Sequence, residues 1–172
     1  MKSYKKELDK KYKGYRYIVL GLNIGHRCGY VKIPKDNPLF GLGYSTKLPI
    51  TMYILKNETV GKRSVIPFFL QGLDKDERIS MDVLFDVHGG ITFSGDVKQL
   101  GGYWIGFDCA HYDDAKDVSL MDKKYKKLYN SSQVIHYGTI KTTDYVEQEC
   151  KNLIDQIIKY SPLLVKNKKW KQ

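Results

Sequence analysis

The stretch DYVEQECKNLIDQII, residues 144–158, decides the fold of this chain. Asp144 is followed three residues later by Glu147, which is the spacing of a capping box at a helix start. Apolar side chains then recur at helical spacing and form one face: Val146, Cys150, Leu153, Ile154, Ile157 and Ile158. Ser161-Pro162 predicts the end of the helix. Because such a helix must bury its apolar face, the rest of the chain has to supply a surface for it.

Apolar segments earlier in the chain predict strands for that surface. Tyr15–Leu20, Cys28–Ile33 and Tyr103–Asp108 read as largely buried strands, and Ile50–Leu55 and Val65–Leu70 are shorter apolar segments. Residues 34–49 contain three prolines and two glycines and predict an ordered loop that buries three apolar side chains, Leu39, Phe40 and Leu42.

A period of two over residues 79–87 predicts one further strand. Ile79, Met81, Val83, Phe85 and Val87 alternate with polar residues, and Leu84 is the one exception. Gly89-Gly90 then predicts a tight turn, with residues 91–94 returning as the hairpin partner. We therefore expect one α+β domain: a mainly antiparallel sheet with the C-terminal amphipathic helix packed on one face.

Length and composition limit the class of protein. The chain has 172 residues, of which 42% are hydrophobic and 13% aromatic, which argues against intrinsic disorder. No apolar run approaches the roughly 20 residues of a membrane helix, and we expect no membrane association and no secretory signal. Three cysteines do not make a disulfide framework, and a reducing cytoplasm is the simpler expectation.

The formal charge of +10 is unevenly distributed. Residues 1–16 carry seven Lys or Arg and two acids, residues 116–128 five lysines and two aspartates, and residues 159–172 five lysines and no acid. We expect a basic lead-in over residues 1–14 with at most a helical turn or two, the domain over 15–161, and a basic tail over 162–172. The lysine-rich residues 116–136 predict a short helix followed by a loop. Such runs are either solvated faces or surfaces that attract nucleic acid or nucleotides.

Reactive side chains concentrate in residues 86–95 and 104–114. His88 precedes the Gly89-Gly90 turn, whose bare backbone N–H groups can cradle an anion, while an imidazole titrates near neutral pH. Asp108 and His111 follow a strand expected to lie beside that turn. Each residue also has a structural interpretation: a plain hairpin turn, a histidine bonded to the main chain, and an aspartate that caps the turn at Cys109.

These segments also suggest metal chemistry. Asp108, His111 and Asp114, with His88, supply ligand types for Zn, Mn or Mg, although their spacing matches no standard signature. A second set combines Cys28, Cys109 and Cys150 with His26, but Cys150 lies on the apolar face of the last helix. We rank a Cys109 nucleophile lower, since Asp108 beside it disfavours a thiolate. No cofactor is required, and a divalent metal stays an option.

Four blocks of sequence, taken in order, resemble a widespread and mostly uncharacterised family of small accessory proteins of tailed phages and prophages. The blocks are residues 29–41, 87–95, 104–111 and 145–153, and the resemblance covers roughly residues 15–160. It implies a viral protein that acts in the bacterial host cytoplasm, and by analogy one that counters host defence. Relatives usually read Ala-His-Ala/Gly-Asp in the third block. The Tyr112-Asp113-Asp114 of this chain leaves open which aspartate is the equivalent acid.

Three hypotheses for function follow. In the first, the protein binds a small anionic nucleotide-type ligand in a pocket that carries the two histidines and the following further residues: Gly89, Gly90, Thr92, Ser94, Tyr30 and Trp104. In the second, His88, His111 and Asp108 catalyse hydrolysis of a phosphodiester in such a signal. In the third, the basic ends inhibit a host nuclease or CRISPR effector, so that the partner is a host protein or nucleic acid.

Overall fold

The computed structural model of the protein describes residues 3–51, 78–131 and 138–166. Within these residues the strands are β1 (Tyr4–Tyr12), β2 (Tyr15–Leu22), β3 (Arg27–Lys32), β4 (Lys47–Thr51), β5 (Arg78–Ser80), β6 (Phe93–Asp96) and β7 (Tyr103–Asp108). The helices are α1 (Met81–Leu84), α2 (Lys123–Ser131) and α3 (Thr143–Lys166). The main sheet is antiparallel with strand order β1-β2-β3-β7-β6, and β4 pairs with β5 in a second, two-stranded sheet.

Helix α3 packs on one face of the main sheet, as its apolar period predicts. Five of the six predicted face residues have no exposed surface: Val146, Cys150, Leu153, Ile154 and Ile157. Gly29 of β3 allows the close approach, because a Cβ there would lie 2.8 Å from the Cys150 Sγ. Ile158 is 40% exposed, so its place on the buried face was wrong. The predicted α+β domain, an antiparallel sheet with a C-terminal helix, is confirmed.

The predicted helix end at Ser161-Pro162 is wrong. Pro162 lies inside α3, which continues to Lys166. Tyr160 and Leu164 are both buried in the core on this side of the sheet, and their burial offsets the backbone hydrogen bond that a proline removes. Residues 167–172 of the expected basic tail lie outside the described part of the chain.

The helical turn or two expected in the basic lead-in over residues 1–14 does not form in its described part, residues 3–14. Residues Tyr4–Tyr12 form the edge strand β1, which pairs with β2 from Tyr4 to Tyr12 with one register shift between Lys6 and Leu8. Lys13 and Gly14, at φ values of 46° and 86°, form the two-residue turn that joins the strands. The lysines on β1 are compatible with a strand, since exposed charges on an edge strand oppose pairing with other chains.

The strand predicted over residues 79–87 is wrong beyond Ser80. The chain enters the single-turn helix α1 at Met81, and Met81, Leu84 and Phe85 are buried. Met81, Leu84 and Phe85 also fit a helical spacing of i, i+3 and i+4, so Leu84, the exception to alternation, carried the correct signal.

The hairpin partners also differ from the prediction. Strand β6 pairs with β7 through the 97–102 turn, not with residues 79–87. The tight glycine turn does form: the Gly90 N–H donates to the Val87 carbonyl at 2.9 Å.

The loop over residues 34–49 is ordered in the way its prolines and apolar residues predict. Leu39 is fully buried, Phe40 and Leu42 pack against the core, and the Tyr103 hydroxyl donates to the Leu42 carbonyl. Of the other two apolar segments, Ile50–Leu55 is described only as far as Thr51 and belongs in part to β4, whereas Val65–Leu70 lies outside the described residues. In the ranges described, no helix is both long and apolar enough to cross a bilayer.

Candidate functional site

His88 lies within the Val87–Gly90 turn that precedes β6 and makes three hydrogen bonds. Its Nε2 lies 2.8 Å from Oδ2 of Asp114, and its Nδ1 lies 3.0 Å from the Tyr145 hydroxyl on the first turn of α3. Its backbone N–H donates to Oε2 of Glu149 at 3.0 Å. Both ring nitrogens are therefore engaged, and the imidazole is positioned from two sides.

Asp114 is the acid that joins the site together. Its side chain is 2% exposed; Oδ2 also accepts the His111 backbone N–H at 2.9 Å, and Oδ1 lies 3.5 Å from the Lys141 ammonium. Burial alone would raise the pKa of this carboxyl, but the bonds from His88 and the His111 amide, with the charges of His88 and Lys141, lower it below its usual value. Asp114 is thus a carboxylate at neutral pH.

His111 lies against Gly89 and beside His88. The two imidazole centroids are 5.3 Å apart, and a Cβ on Gly89 would collide with the His111 ring. The ring is on the surface, and in the described part of the chain it has no hydrogen-bond partner. The two imidazoles thus lie side by side, while a ligand that reaches both of them, in one pocket with Asp108, stays a prediction.

Asp108, by contrast, takes the structural role weighed for it. Its Oδ2 accepts the Thr92 hydroxyl at 2.8 Å and its Oδ1 accepts the Ala110 N–H at 3.2 Å, so it caps the turn after β7. No hydrogen bond joins it to either histidine among the residues described. The acid that orients an imidazole is Asp114, whereas Asp113 is exposed.

The predicted stacking residues lie elsewhere. Trp104 is fully buried with Ile18 and Leu20 in a small second core, so its ring is closed to a ligand. Tyr30 packs edge-on against Phe93 beside the same core, with ring centroids 5.5 Å apart. The Ser94 hydroxyl is buried and has no hydrogen-bond partner within the described part of the chain. The Thr92 hydroxyl donates to Asp108, and the Gly90 N–H closes the turn on Val87.

Three site residues escaped the reasoning from sequence. Tyr145 and Lys141 reach the site from the start of α3 and the segment before it, some fifty residues from His88, and no local pattern connects them. Tyr112 is 98% exposed on the turn next to His111. No periodicity or motif in the sequence sets it apart from the other tyrosines.

The metal-ligand sets considered from the sequence are not assembled among the described residues. Nowhere in residues 3–51, 78–131 and 138–166 do three or more His, Cys, Asp or Glu side chains gather as they would around a metal. Asp114 is directed at His88, so Asp108, His111 and Asp114 do not form the expected ligand set. His26 instead lies 3.5 Å from the Lys116 ammonium, and burial together with that charge lowers its pKa.

The three thiols do not fit nucleophilic chemistry either. Cys28, Cys109 and Cys150 are all buried and free. Burial raises the pKa of Cys28 to about 11 and that of Cys109 to about 12. A thiolate at Cys109 is therefore disfavoured at neutral pH.

Fold and site define a small α+β protein with an Asp114–His88–Tyr145 chain of hydrogen bonds and an exposed imidazole beside it. Comparison with protein families, with curated proteins and with solved structures finds no match to this chain. The chemistry of the site is accordingly read from its own side chains.

Proposed function

We propose that the protein binds a small anionic nucleotide-type ligand at this site, with a phosphate of the ligand on His111. The observation that carries the proposal is the exposed His111 imidazole, which lies against Gly89 and has no hydrogen-bond partner in the described ranges. Imidazole N–H groups donate to phosphate oxygens, and they do so more strongly when the ring is charged.

The Lys141 ammonium near the site supports a phosphate rather than a neutral ligand. The Tyr145 hydroxyl and the Lys141 ammonium lie on the Asp114–His88 side of His111, with the ammonium 5.5 Å from the Tyr145 ring centroid. The Asp114 carboxylate, 3.5 Å from the ammonium, offsets part of its positive charge. A phosphate would be attracted by the Lys141 ammonium, because Asp114 is shared between that ammonium and His88.

Tyr112 supports a base on the same ligand. The Tyr112 side chain is 98% exposed, so its ring makes little contact with the domain and is available for stacking. Base–aromatic stacking contributes about 1–3 kcal/mol for a nucleobase. The resemblance to phage accessory proteins favours a nucleotide immune signal in the bacterial host cytoplasm as the natural ligand.

Thermal shift and calorimetry against cyclic dinucleotides, cyclic ADP-ribose-type signals and mononucleotides test the proposal. We expect one class to raise the Tm of the wild type and to fail with His111→Ala. Tyr112→Ala should weaken binding about tenfold, whereas Tyr44→Ala, which removes another exposed tyrosine, should not. A flat response across the whole panel overturns the proposal.

The alternative function is hydrolysis of the same ligand, and analysis of the ligand after incubation distinguishes hydrolysis from binding. Two-histidine acid–base catalysis needs a free nitrogen on each ring, and both nitrogens of His88 are engaged. We therefore expect chromatography to recover the ligand intact after incubation with and without EDTA. Cleavage products that disappear in His88→Ala would replace binding by catalysis.

The other alternative, inhibition of a host protein by the basic ends of the chain, has less support at the N-terminal end. Residues 4–12 are a strand of the main sheet, and Lys6 and Lys10 are paired with Asp9 and Glu147. Deleting residues 1–14 would remove an edge strand and expose β2, so a loss of activity after that deletion would not identify a binding surface.

A further inference from the structure

Helix α2 carries an uncompensated cationic face. Its nine residues include four lysines and no acid: Lys123, Lys124, Lys126 and Lys127. At about 100° per residue these lysines share one half of the helix circumference. Tyr125, Leu128 and Tyr129 occupy the other half.

The lysines of α2 lack the ion pairs that several other lysines of the described chain make. Lys6, Lys10, Lys13, Lys141 and Lys151 each lie within ion-pair distance of a carboxylate. Within the described ranges, none of the four α2 lysines does. Asp122, the acid next to them, is already used, since it accepts the Tyr125 N–H at 2.9 Å and the Asn23 amide at 2.9 Å.

This arrangement works against the helix itself. Lys123 and Lys127 are four residues apart, and Lys123–Lys126 and Lys124–Lys127 are three apart, so like charges face each other along one side. The helix is short and has no buried side chain to offset that repulsion. An external anion that neutralises several lysines at once would stabilise it.

We infer that α2 binds the phosphate backbone of a nucleic acid, at a surface separate from the His88–His111 site. Nine residues span about 13 Å of helix, the rise of about four nucleotides of one strand. A membrane surface is the weaker match because interfacial helices insert their apolar face. Tyr125 and Tyr129 are half-buried here, and only Leu128, at 55%, is largely exposed on that face.

Fluorescence anisotropy with a labelled 20-nucleotide single strand and its duplex, over a salt series, tests this surface. Four phosphate contacts predict a slope of log affinity against log salt near −3 for the single strand. The variant K123Q/K124Q/K126Q/K127Q should bind at least tenfold more weakly and lose most of that slope. Glutamine keeps helix propensity, and circular dichroism checks the fold.

A matched control separates this face from the overall charge. K5Q/K11Q/K35Q/K98Q removes the same four charges from exposed lysines elsewhere and should stay within threefold of wild type. Equal losses in both variants, or no binding at low salt, would overturn the inference. Binding of the α2 lysines to phosphatidylglycerol vesicles but not to nucleic acid would assign the face to a membrane. His111→Ala should leave nucleic-acid binding unchanged, so this result and that for the nucleotide site are independent.

Discussion

Gly89 shows how one residue can shape the candidate site. Its backbone has a φ of 67°, a conformation that L side chains rarely adopt, and the His111 imidazole occupies the space that a Cβ would need. Conformation and close approach thus both require glycine at this position.

Gly89→Ala should destabilise the protein by more than Gly101→Ala, its matched control. Gly101 has nearly the same φ, 69°, but open space around the absent Cβ. Backbone strain alone should cost about 1–2 kcal/mol at Gly101, and Gly89→Ala should add the displacement of His111. Chemical denaturation measures both losses, and the NMR signals of the His111 ring should shift only in Gly89→Ala. Equal losses with an unmoved imidazole would contradict the close contact.

Asp114→Asn should remove a pH-dependent part of the stability. The pKa of Asp114 is lower in the folded protein than its ordinary value of 3.8. The carboxylate therefore stabilises the folded state at pH values above 3.8, and this contribution is lost as the pH falls through the folded pKa. The difference in free energy of unfolding between wild type and Asp114→Asn should therefore be largest above about pH 4 and shrink in stronger acid. Denaturation series at several pH values measure it. Asp113→Asn, at the exposed neighbour, should be neutral, and a difference that does not vary with pH would refute the assigned charge.

At the scale of secondary-structure elements, the Arg27 side chain links four parts of the fold by hydrogen bonds. Its guanidinium donates to Glu7 of β1 at 2.7 Å and to Asp117 at 2.8 Å, and also to the Lys141 carbonyl and the Thr143 hydroxyl at the start of α3. The side chain is 9% exposed, so these bonds form away from water. One arginine thereby joins β3 to the edge strand, the 117 turn and the last helix, which also brings Lys141 and Tyr145 toward the site.

Arg27→Met should cost about 3–5 kcal/mol, because the carboxylates of Glu7 and Asp117 would lose their cationic partner and keep only neutral donors, Thr143 and Ser119. Arg16→Met is the control, since the pair of Arg16 with Asp9 is about a third exposed and should contribute about 1 kcal/mol or less. Urea denaturation of the two variants gives the comparison. Adding Glu7→Gln to Arg27→Met should recover part of the loss, and equal costs for the two arginines would contradict a buried network.

For the whole molecule, stability is unevenly distributed. The main core includes residues of β2, β3, β7 and α3, and a second cluster of Ile18, Leu20 and Trp104 covers the other face of the sheet. Helix α2 contributes no buried side chain to either. Sheet and long helix are thus expected to unfold together, and α2 to open before them.

Hydrogen exchange should show this difference directly. Amides of β2, β3 and β7 should exchange only through global unfolding, whereas those of α2 should exchange with a free energy well below the global value. Mass spectrometry of peptides covering these elements measures both. Protection of α2 equal to that of β7 would contradict a helix that has no buried side chain, and protection that rises only with nucleic acid present would support the cationic surface.

The amino-acid sequence alone determined the elements in which local pattern and burial agree. Strand β7 lies at its predicted bounds, β3 within one residue of them, and the buried face of α3 is the predicted one apart from Ile158. The nearness of His88 and His111 was also predicted from the reversals rich in small residues that they flank, although the strand expected before His88 does not form.

Only the tertiary structure decided those features that depend on contacts between residues distant in the chain. Residues 4–12 are polar and become a strand only because β2 offers its edge, and α3 continues through Pro162 because Leu164 finds the core. Asp114, not Asp108, orients an imidazole because the turn after β7 directs its carboxylate at His88, and Tyr145 and Lys141 join from another element. Local periodicity carries no information on such contacts, since they form only when the sheet and the helix are packed together.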